Sequence, residues 1–408
     1  MGNVDVTSEL TVALDTVGIS DVAHTTDAGP EGVRNIVRLY AFTLAVLTMI
    51  VASAPSFVPS AHAPPRPRMA LDGLFGNWLQ WDAWWYVAIA EHGYTYRPQH
   101  MSAVAFFPVY PLVVRALATT VPGGVPVSAL LLSTVCGLVT LLLFHRWCAS
   151  RLSRRAALLA VVALAFYPYA WFLYGTAYSD ALFCVLVLAA FLALEADRPV
   201  VAGLFGALAT ATRPTGIVLV VGLVAVALDR RGLLGGRPVR SRLRRADSAV
   251  LLSISGIALW CMWLAVRFGN AFAFIETEGA KGWSQAPGPH TWFKLAFIDH
   301  IRRSSPSHWL PLVVQAAMCL AFVAAAPAVS RRFGRGYGIY VVATAVIPAI
   351  STSDFMGVGR YLLPAFPVFA LVGASLEGRR VAARFIPVLG AATLVVGTAL
   401  FASGYYLT

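Results

Sequence analysis

Long apolar runs alternate with short clusters of arginine along most of the chain. A membrane-spanning helix needs about 20 predominantly apolar residues, and several runs come close to that length, among them 39–59, 127–147, 156–174 and 385–401. In lipid every backbone polar group has to be satisfied within the protein, which leaves helices and closed barrels as spanning structures. The pattern therefore predicts an all-α fold, a polytopic transmembrane helical bundle.

Two apolar segments do not fit a simple crossing. The segment 106–121 is short, is interrupted by two prolines and carries Arg115, so we expect a juxtamembrane or re-entrant helix there. The segment 200–228 is interrupted at Arg213, so we expect two half-helices that meet at a polar break. About nine full crossings of ordinary length remain, although either irregular segment could itself be a full crossing.

Composition and charge placement agree with a lipid environment. Of the 408 residues 58% are hydrophobic and only 12% are charged. The net charge of +12 could suggest nucleic-acid binding, but most arginines lie in short clusters between apolar runs. That placement is typical of cytoplasmic loops, not of a nucleic-acid groove. If the amino terminus is cytoplasmic and the carboxyl terminus is outside, all four arginine clusters fall on the cytoplasmic side: 146–155, 230–245, 331–335 and 379–384.

The chain divides into a tail and one membrane domain. Residues 1–33 hold six acids and no aromatic residue, so we expect a disordered acidic cytoplasmic tail. Residues 34–408 are predicted to form a single transmembrane domain with large outer loops at 60–126 and 268–308. The sequence Ala61-His62-Ala63 faintly resembles a signal-peptidase site, but the apolar run before it is long for a signal peptide and favours an uncleaved helix. The five cysteines form no CxxC pair and are expected to be free, buried thiols.

Carboxylates and tryptophans gather in the segments expected outside, most densely within 77–94. A carboxylate among indole rings is typical of a sugar site, because apolar sugar faces stack on rings while hydroxyl groups bond to charged groups. An aromatic belt at the headgroup level is the alternative for the tryptophans, but it leaves Asp82 unexplained. The candidates from this stretch are Trp81, Asp82, Trp85, Tyr86, Glu91 and His92.

Four motifs follow one another between about residues 77 and 370. They are Trp81-Asp82-x-x-Trp85-Tyr86 with Ala105-Phe106-Phe107-Pro108, then Tyr178-Ser179-Asp180, then Ala211-Thr212-Arg213-Pro214, then Arg360-Tyr361-Leu362-Leu363-Pro364. In this order they resemble the PIG-V type mannosyltransferases, members of the GT-C class of glycosyltransferases. The chain departs from the eukaryotic members at Trp85, where they tend to carry a histidine, and at 96–99, where they tend to carry an acid. Abundant arginine and alanine with two lysines are typical of a GC-rich, actinobacterial-like genome.

The resemblance implies transfer of a hexose, with mannose expected, from a polyprenyl-phosphate sugar to a lipid-linked or glycan acceptor at the outer face of the cell membrane. The reaction should be inverting with Asp82 as general base, since a phosphate leaving group needs no general acid. No cofactor, metal or nucleic acid is expected, and the partners are the bilayer, the donor and the acceptor. The leaving phosphate needs cations, for which Arg360 is preferred over Lys281, Arg302 and Arg303.

Several candidates also have structural interpretations. Asp180 could cap the helix that follows it. Arg213 is costly at membrane depth, by ~3 kcal/mol, and could pair with backbone carbonyls or with the donor phosphate. Glu276 and Glu278 could form a metal pair, although no third ligand lies near them in sequence. The substrate-binding candidates are Trp81, Trp85, Tyr86, Glu91, His92, Asp180, Arg213, Lys281, Arg360 and Tyr361.

A membrane transporter or lipid flippase is the alternative function. Such proteins usually carry internal repeats and several ionisable residues within their crossings. This sequence has no convincing repeat, and Arg213 is the one ionisable residue expected within a crossing.

Overall fold

The computed structural model describes residues 30–59, 75–235, 244–283, 285 and 288–407, and within these ranges the chain is helical, with no strand. The α-helices are α1 (Pro30–Ser53), α2 (Ala83–His92), α3 (Val109–Leu117), α4 (Gly124–Ala149), α5 (Arg154–Ala165), α6 (Asp180–Glu195), α7 (Pro199–Thr210), α8 (Ile217–Arg230), α9 (Ser255–Phe268), α10 (Ala273–Glu278), α11 (Pro289–Trp292), α12 (Leu295–Arg303), α13 (Pro306–Phe333), α14 (Arg335–Ser351), α15 (Val358–Tyr361), α16 (Phe366–Leu376) and α17 (Arg380–Ala402). The predicted all-α fold is confirmed.

Five helical stretches of the described residues are long and apolar enough to cross a membrane: Glu31–Ser56, Gly124–Ala149, Arg245–Phe268, His308–Phe333 and Arg380–Ala402. The third of them is α9 together with the 3-10 turn that precedes it, Arg245–Ile254. Shorter apolar helices, α7, α14 and α16, accompany them. Large apolar side chains are exposed on these helices, as expected where the neighbour is lipid. The chain is a multi-pass membrane protein, and the number of full crossings stays a prediction.

The arginine clusters meet at one end of the bundle, here called the basic end. Contacts between charged and polar groups join the turns at this end: Glu31 with Arg154, Arg151 with Glu195, the Arg230 guanidinium with the Glu195 carbonyl, Arg231 with Asp247, Arg244 with Asp197, Ser153 with Glu377 and Arg335 with the Leu234 carbonyl. The predicted grouping of these clusters on one side is confirmed. That this side is cytoplasmic stays a prediction.

The opposite end, here called the Asp82 end, carries the described parts of two connecting segments, within 75–126 and 268–308. That these segments are outer loops stays a prediction. Helices α2 and α3 belong to the first segment and α10, α11 and α12 to the second. The last helix also finishes here, because Gln80 donates a hydrogen bond to the carbonyl of Ala402 (3.2 Å) and the Trp81 indole donates to that of Tyr405 (3.2 Å).

Two predicted features fall largely outside the described residues. The acidic tail is one of them: α1 begins at Pro30, four residues before the predicted boundary, and Glu31 pairs with Arg154. Ala61-His62-Ala63 is the other, since residues 60–74 are not described.

The two irregular segments form short helices, and whether either is a full crossing stays a prediction. Helix α3 has nine residues and lies at the Asp82 end, about 14 Å long and too short to cross. The segment 200–228 forms α7 and α8, which are separated by 211–216. Arg213 is extended and precedes a proline, a position that disfavours helix. Arg213, in the break between α7 and α8, contacts the start of α6, and Arg230, at the end of α8, contacts the end of α6. Helix α8 therefore extends along the length of α6.

Small residues let the helices approach one another closely. A Cβ on Gly137 would lie 1.7 Å from the Leu173 carbonyl oxygen, and one on Gly373 would lie 2.4 Å from the backbone nitrogen of Ala160. Such contacts are typical of helix packing in membranes, where apolar burial does not drive association. All five cysteines are free; four are buried and Cys261 is partly buried, in agreement with the prediction.

Candidate functional site

Asp82 stands immediately before α2, in a turn that is held from two sides. Its backbone N–H donates to the Tyr178 hydroxyl (3.0 Å), which in turn donates to the carbonyl of Gln80 (3.2 Å). Gln80 and Trp81 are also bonded to the end of the last helix. Trp81 has a φ of 53°, which is unfavourable for a bulky side chain and persists only where neighbouring contacts enforce it. These contacts therefore hold the backbone of Asp82 in a fixed position.

The Asp82 carboxylate pairs with Arg360, which the short helix α15 supplies. The distance from Arg360 Nη1 to Asp82 Oδ2 is 3.2 Å, and both side chains are largely removed from solvent. The guanidinium lies between the rings of Phe172, Tyr178 and Tyr361, with centroids 5.1 to 5.7 Å away. Aromatic walls lower the local dielectric, so charges in this space interact more strongly than at the surface.

A second buried pair, Asp180 with Arg213, lies beside the first. Arg213 is 5.0 Å from the ring centroid of Tyr361, the same ring that Arg360 contacts at 5.1 Å. Asp180 starts α6 without capping it. The partner of Arg213 is thus a carboxylate, in place of the carbonyls or phosphate considered from the sequence. Two guanidiniums share one tyrosine ring, and each has a carboxylate partner.

Each of these two pairs leaves one buried atom without a hydrogen-bond partner among the described residues: Arg360 Nε, a donor, and Asp180 Oδ2, an acceptor. A buried polar group left unpaired costs about 1–3 kcal/mol. The site therefore offers one N–H donor suited to an anion and one oxygen suited to a hydroxyl group.

Glu278, at the end of α10, is the acid that sequence reasoning undervalued. Its neighbour Glu276 accepts hydrogen bonds from the Tyr96 hydroxyl (2.7 Å), the Gln99 N–H (3.0 Å) and the Asn270 amide (2.9 Å). Burial and the nearby Asp82 carboxylate raise the pKa of Glu278 to about 7, while Arg360 opposes the rise. The two glutamates thus have separate surroundings, which speaks against the metal pair.

An aromatic wall borders the site on the side of α2. Trp85 stacks on Phe106 with centroids 5.6 Å apart, and Trp283 packs against both rings at 5.7 and 5.8 Å. Tyr86 is buried beneath them, where its hydroxyl is 2.8 Å from that of Ser179. Trp81 packs against Tyr406. Of the three candidates on this side, Trp85 stacks within the wall, and Tyr86 packs edge-on against Phe106 with centroids 5.1 Å apart.

Other predicted site residues lie further from the two pairs. Glu91 and His92 are exposed at the far end of α2, about 14 Å along the helix from Asp82. Lys281, Arg302 and Arg303 are also exposed, and Arg303 pairs with Asp299. The other lysine, Lys294, donates to the carbonyls of Ala349 and Thr352 at the end of α14. Substrate binding by Glu91, His92 and Lys281 stays a prediction.

No three His, Cys, Asp or Glu side chains of the described residues come together as a metal site would need. Five of the predicted site residues lie together in one cluster: Asp82, Asp180, Arg213, Arg360 and Tyr361. Tyr178 lies within one of the four motifs, but nothing else in the sequence distinguishes it.

Comparison with known proteins agrees with this arrangement. GPI alpha-1,6-mannosyltransferase 2 of Mus musculus is 32% identical over 207 residues, which cover 46% of this chain and 40% of that protein. The protein of the same name from Cricetulus griseus is 32% identical over 209 residues, covering 47% of this chain and 41% of the relative. The matched region thus spans less than half the length of these curated relatives.

The chain is similar in structure to ArnT from Cupriavidus metallidurans, whose crystal structure holds undecaprenyl phosphate. The superposition covers 91% of this chain and 76% of the ArnT chain, with a TM-score of 0.50 and 16% sequence identity. This likeness shows the GT-C fold. The sequence model of the family described as Mannosyltransferase (PIG-V) matches residues 33–269. That match takes in more than half of the chain, so the protein belongs to the PIG-V mannosyltransferase family.

Proposed function

We propose that the protein is an inverting mannosyltransferase that uses a polyprenyl-phosphate mannose donor and a lipid-linked or glycan acceptor at the outer face of the membrane. The observation that carries the proposal is the buried pair of Asp82 and Arg360, a carboxylate and a guanidinium side by side. Family membership favours this activity over the transporter or flippase alternative. The ArnT structure with undecaprenyl phosphate supports the choice of a polyprenyl-phosphate donor.

In the transfer step Asp82 accepts the proton of the acceptor hydroxyl as its oxygen attacks the anomeric carbon of mannose. A new carbon–oxygen bond forms on one face while the bond to the phosphate oxygen breaks on the other, and the phosphate leaves with the electron pair. A base positioned in this way typically contributes ~10²–10⁴ in rate. The leaving group is already acidic, so a second protein carboxyl is not required as general acid.

Arg360 binds the phosphate in this proposal. Its Nε has no partner among the described residues, and its Nη1 holds Asp82. A donor phosphate that engages the guanidinium competes with Asp82 for the same positive charge. A phosphate that takes up this charge frees the Asp82 carboxylate to face the acceptor hydroxyl, so the acceptor is deprotonated only once the donor is in place.

The sugar lies between the aromatic wall and Asp180. Apolar sugar faces stack on rings such as Trp85, and the unpaired Oδ2 of Asp180 can accept a hydrogen bond from a sugar hydroxyl. Arg213 fixes the direction of that carboxylate. The cluster thus has a place for each part of the donor.

Membranes containing the protein, incubated with labelled polyprenyl-phosphate mannose, test the proposal. We expect label to move to a lipid or glycan product, with release of polyprenyl phosphate, and Asp82→Asn membranes to remain at background. Asp299→Asn is the matched control, because it removes an exposed carboxylate of the second connecting segment. Equal transfer by wild type and Asp82→Asn would remove Asp82 from the mechanism, and no product in either would refute the donor.

A further inference from the structure

A cavity of about 560 Å³ opens at the basic end, the end of the bundle away from Asp82. It lies where α4, α6, α8 and α13 end and α14 begins, and its volume is typical of a site for a small ligand. Three arginines and two carboxylates line it, which leaves one positive charge in excess: Arg151, Arg230, Arg332, Glu195 and Asp229.

Both carboxylates of the cavity are engaged within the protein. Glu195 pairs with Arg151 and accepts a hydrogen bond from the Tyr337 hydroxyl. Asp229 is buried and accepts a hydrogen bond from the Gly336 N–H (3.2 Å) in the first turn of α14. Amide groups in the first turn of a helix lack intrahelical partners and carry a partial positive charge. The negative charges of the lining are thus compensated without the other two arginines.

Those two arginines, Arg230 and Arg332, have no carboxylate partner in the part of the chain that the structure describes. Arg230 donates from Nη1 to the backbone carbonyl of Glu195 (3.0 Å), which satisfies one N–H group but leaves its charge unbalanced. Arg332 is exposed at the end of α13. Two guanidinium groups from different helices therefore face one cavity, each with an uncompensated charge.

The donor geometry of these arginines favours a phosphate group as the ligand. A guanidinium offers parallel N–H groups that match two phosphate oxygens, and a phosphate has enough oxygens to engage two guanidinium groups at once. Helices α4 and α13 supply stretches that are long and apolar enough to cross a membrane, so the cavity at their ends lies near the headgroup layer. Basic pockets between membrane helices are typical sites for anionic headgroups.

We propose that this cavity is a binding site for a phosphate group, held between Arg230 of α8 and Arg332 of α13. The site is separate from the Asp82 cluster and takes no part in the transfer step, so the inference does not depend on the proposed function. A bound phosphate joins the ends of two helices that carry like charges, and it stabilises the folded protein as the site fills. An anionic phospholipid and a small soluble molecule are the two sources of such a group, and they are tested separately.

The lipid source is tested with the full chain in detergent, equilibrated with equal amounts of phosphatidylglycerol and phosphatidylcholine and then washed with detergent alone. Phosphatidylcholine carries a phosphate but no net charge, so it reports non-specific retention. If the source is a lipid, we expect the wild type to retain phosphatidylglycerol over phosphatidylcholine by about thirtyfold, because two arginines attract the anionic headgroup. Mass spectrometry of the retained lipid measures the ratio.

The soluble source is tested by equilibrium dialysis of labelled inorganic phosphate against the full chain in nanodiscs of phosphatidylcholine alone. Empty nanodiscs provide the blank. If the source is a soluble molecule, we expect saturable binding of phosphate to the wild type and no enrichment of phosphatidylglycerol.

Variants locate either signal at the cavity. Arg230→Gln combined with Arg332→Gln should abolish the signal, each single change should lower it about fivefold, and Arg332→Lys should keep part of it. The matched control is Arg302→Gln combined with Arg303→Gln, which removes the same charge from exposed arginines of the Asp82 end and should behave as wild type. The midpoint of thermal unfolding without ligand confirms that each variant is folded.

A signal of equal size in the wild type and in the double variant of Arg230 and Arg332 overturns the site. So does the absence of a signal with both ligands, or the loss of the signal in the control. None of these outcomes bears on transfer at Asp82.

Discussion

Asp82 and Arg360 hold each other in place, so each substitution at these positions has a distinct expected signature. Asp82→Asn keeps the shape and one hydrogen-bonding oxygen but cannot take the proton. We expect transfer to fall by ~10²–10⁴ while the amount of folded protein is unchanged. Asp82→Glu should also be badly impaired, because a displacement of about 1 Å is costly at a reacting centre. Near-normal transfer by Asp82→Asn, measured per folded protein, would rule out the base assignment.

Arg360→Ala should lower the transfer rate by ~10²–10³, the usual effect of removing a group that stabilises developing charge. Arg360→Lys should recover only part of the rate, because a point charge replaces a planar fork that contacts both a phosphate and Asp82. Steady-state rates with thermal unfolding as the folding control provide the measurement. If Arg360→Ala stays within a factor of two of wild type, phosphate binding moves to Arg213 or Lys281.

Asp180→Asn should destabilise the protein as well as inactivate it. The change leaves Arg213 buried with an unbalanced charge, which typically costs 3–5 kcal/mol. Combining it with Arg213→Gln should restore much of the stability, since no lone charge remains, but not the transfer. Unfolding midpoints of the single and double variants in the same detergent test this, and a double variant less stable than Asp180→Asn would contradict it.

The sequence predicted the members of this cluster better than their pairing. Asp82 stood out as an acid among indole rings, and Arg360 through a family motif. Their contact joins positions 278 apart, and apolar periodicity carries no information on which helices become neighbours. Glu276 and Glu278 are chemically alike in the sequence, and only the neighbours supplied by other segments give the two carboxylates different surroundings.

Among the helices, α2 depends on a partner from α3 at its carboxyl end. The Arg115 guanidinium donates to the carbonyls of Ala90 (2.6 Å) and Ile89 (3.2 Å), in the last turn of the helix, where carbonyls lack intrahelical partners. The Ile89 carbonyl also accepts a hydrogen bond from the Gly93 N–H (2.9 Å). Arg115→Met should lower the free energy of unfolding by about 1 kcal/mol. It should also slow transfer, because α2 and the turn that carries Asp82 become more mobile. Thermal unfolding beside the exposed control Arg302→Met measures it, and equal midpoints for the two would contradict the capping role.

The ends of helices could be predicted where a property of the local sequence determines them. The break between α7 and α8 follows from the proline after Arg213, and the spanning helices follow from run length. The helices of the connecting segments, α10 to α12, were not predicted, because short amphipathic pieces at a membrane surface are shaped by tertiary contacts such as those of Glu276.

For the whole molecule, orientation is the open prediction: the basic end in the cytoplasm and the Asp82 end outside. A membrane-impermeant thiol reagent on intact cells should label Arg302→Cys, whereas Leu233→Cys should react only after permeabilisation. Both positions are exposed and the native cysteines give little background, since four are buried and Cys261 is partly buried. The reverse pattern would invert the orientation. A reporter fused at Thr408 should likewise be active only outside.

The hydrogen bond from Gln80 to Ala402 spans 322 positions of the chain, and this separation sets the order in which the protein can mature. At ~5–20 residues per second, a ribosome needs about 15–60 s to get from the first partner to the second. The turn before α2 is made early but acquires its full set of anchors only when the last helix is in place. Synthesis and insertion must therefore have passed Ala402 before the turn is fully anchored, however many helices have already entered the membrane.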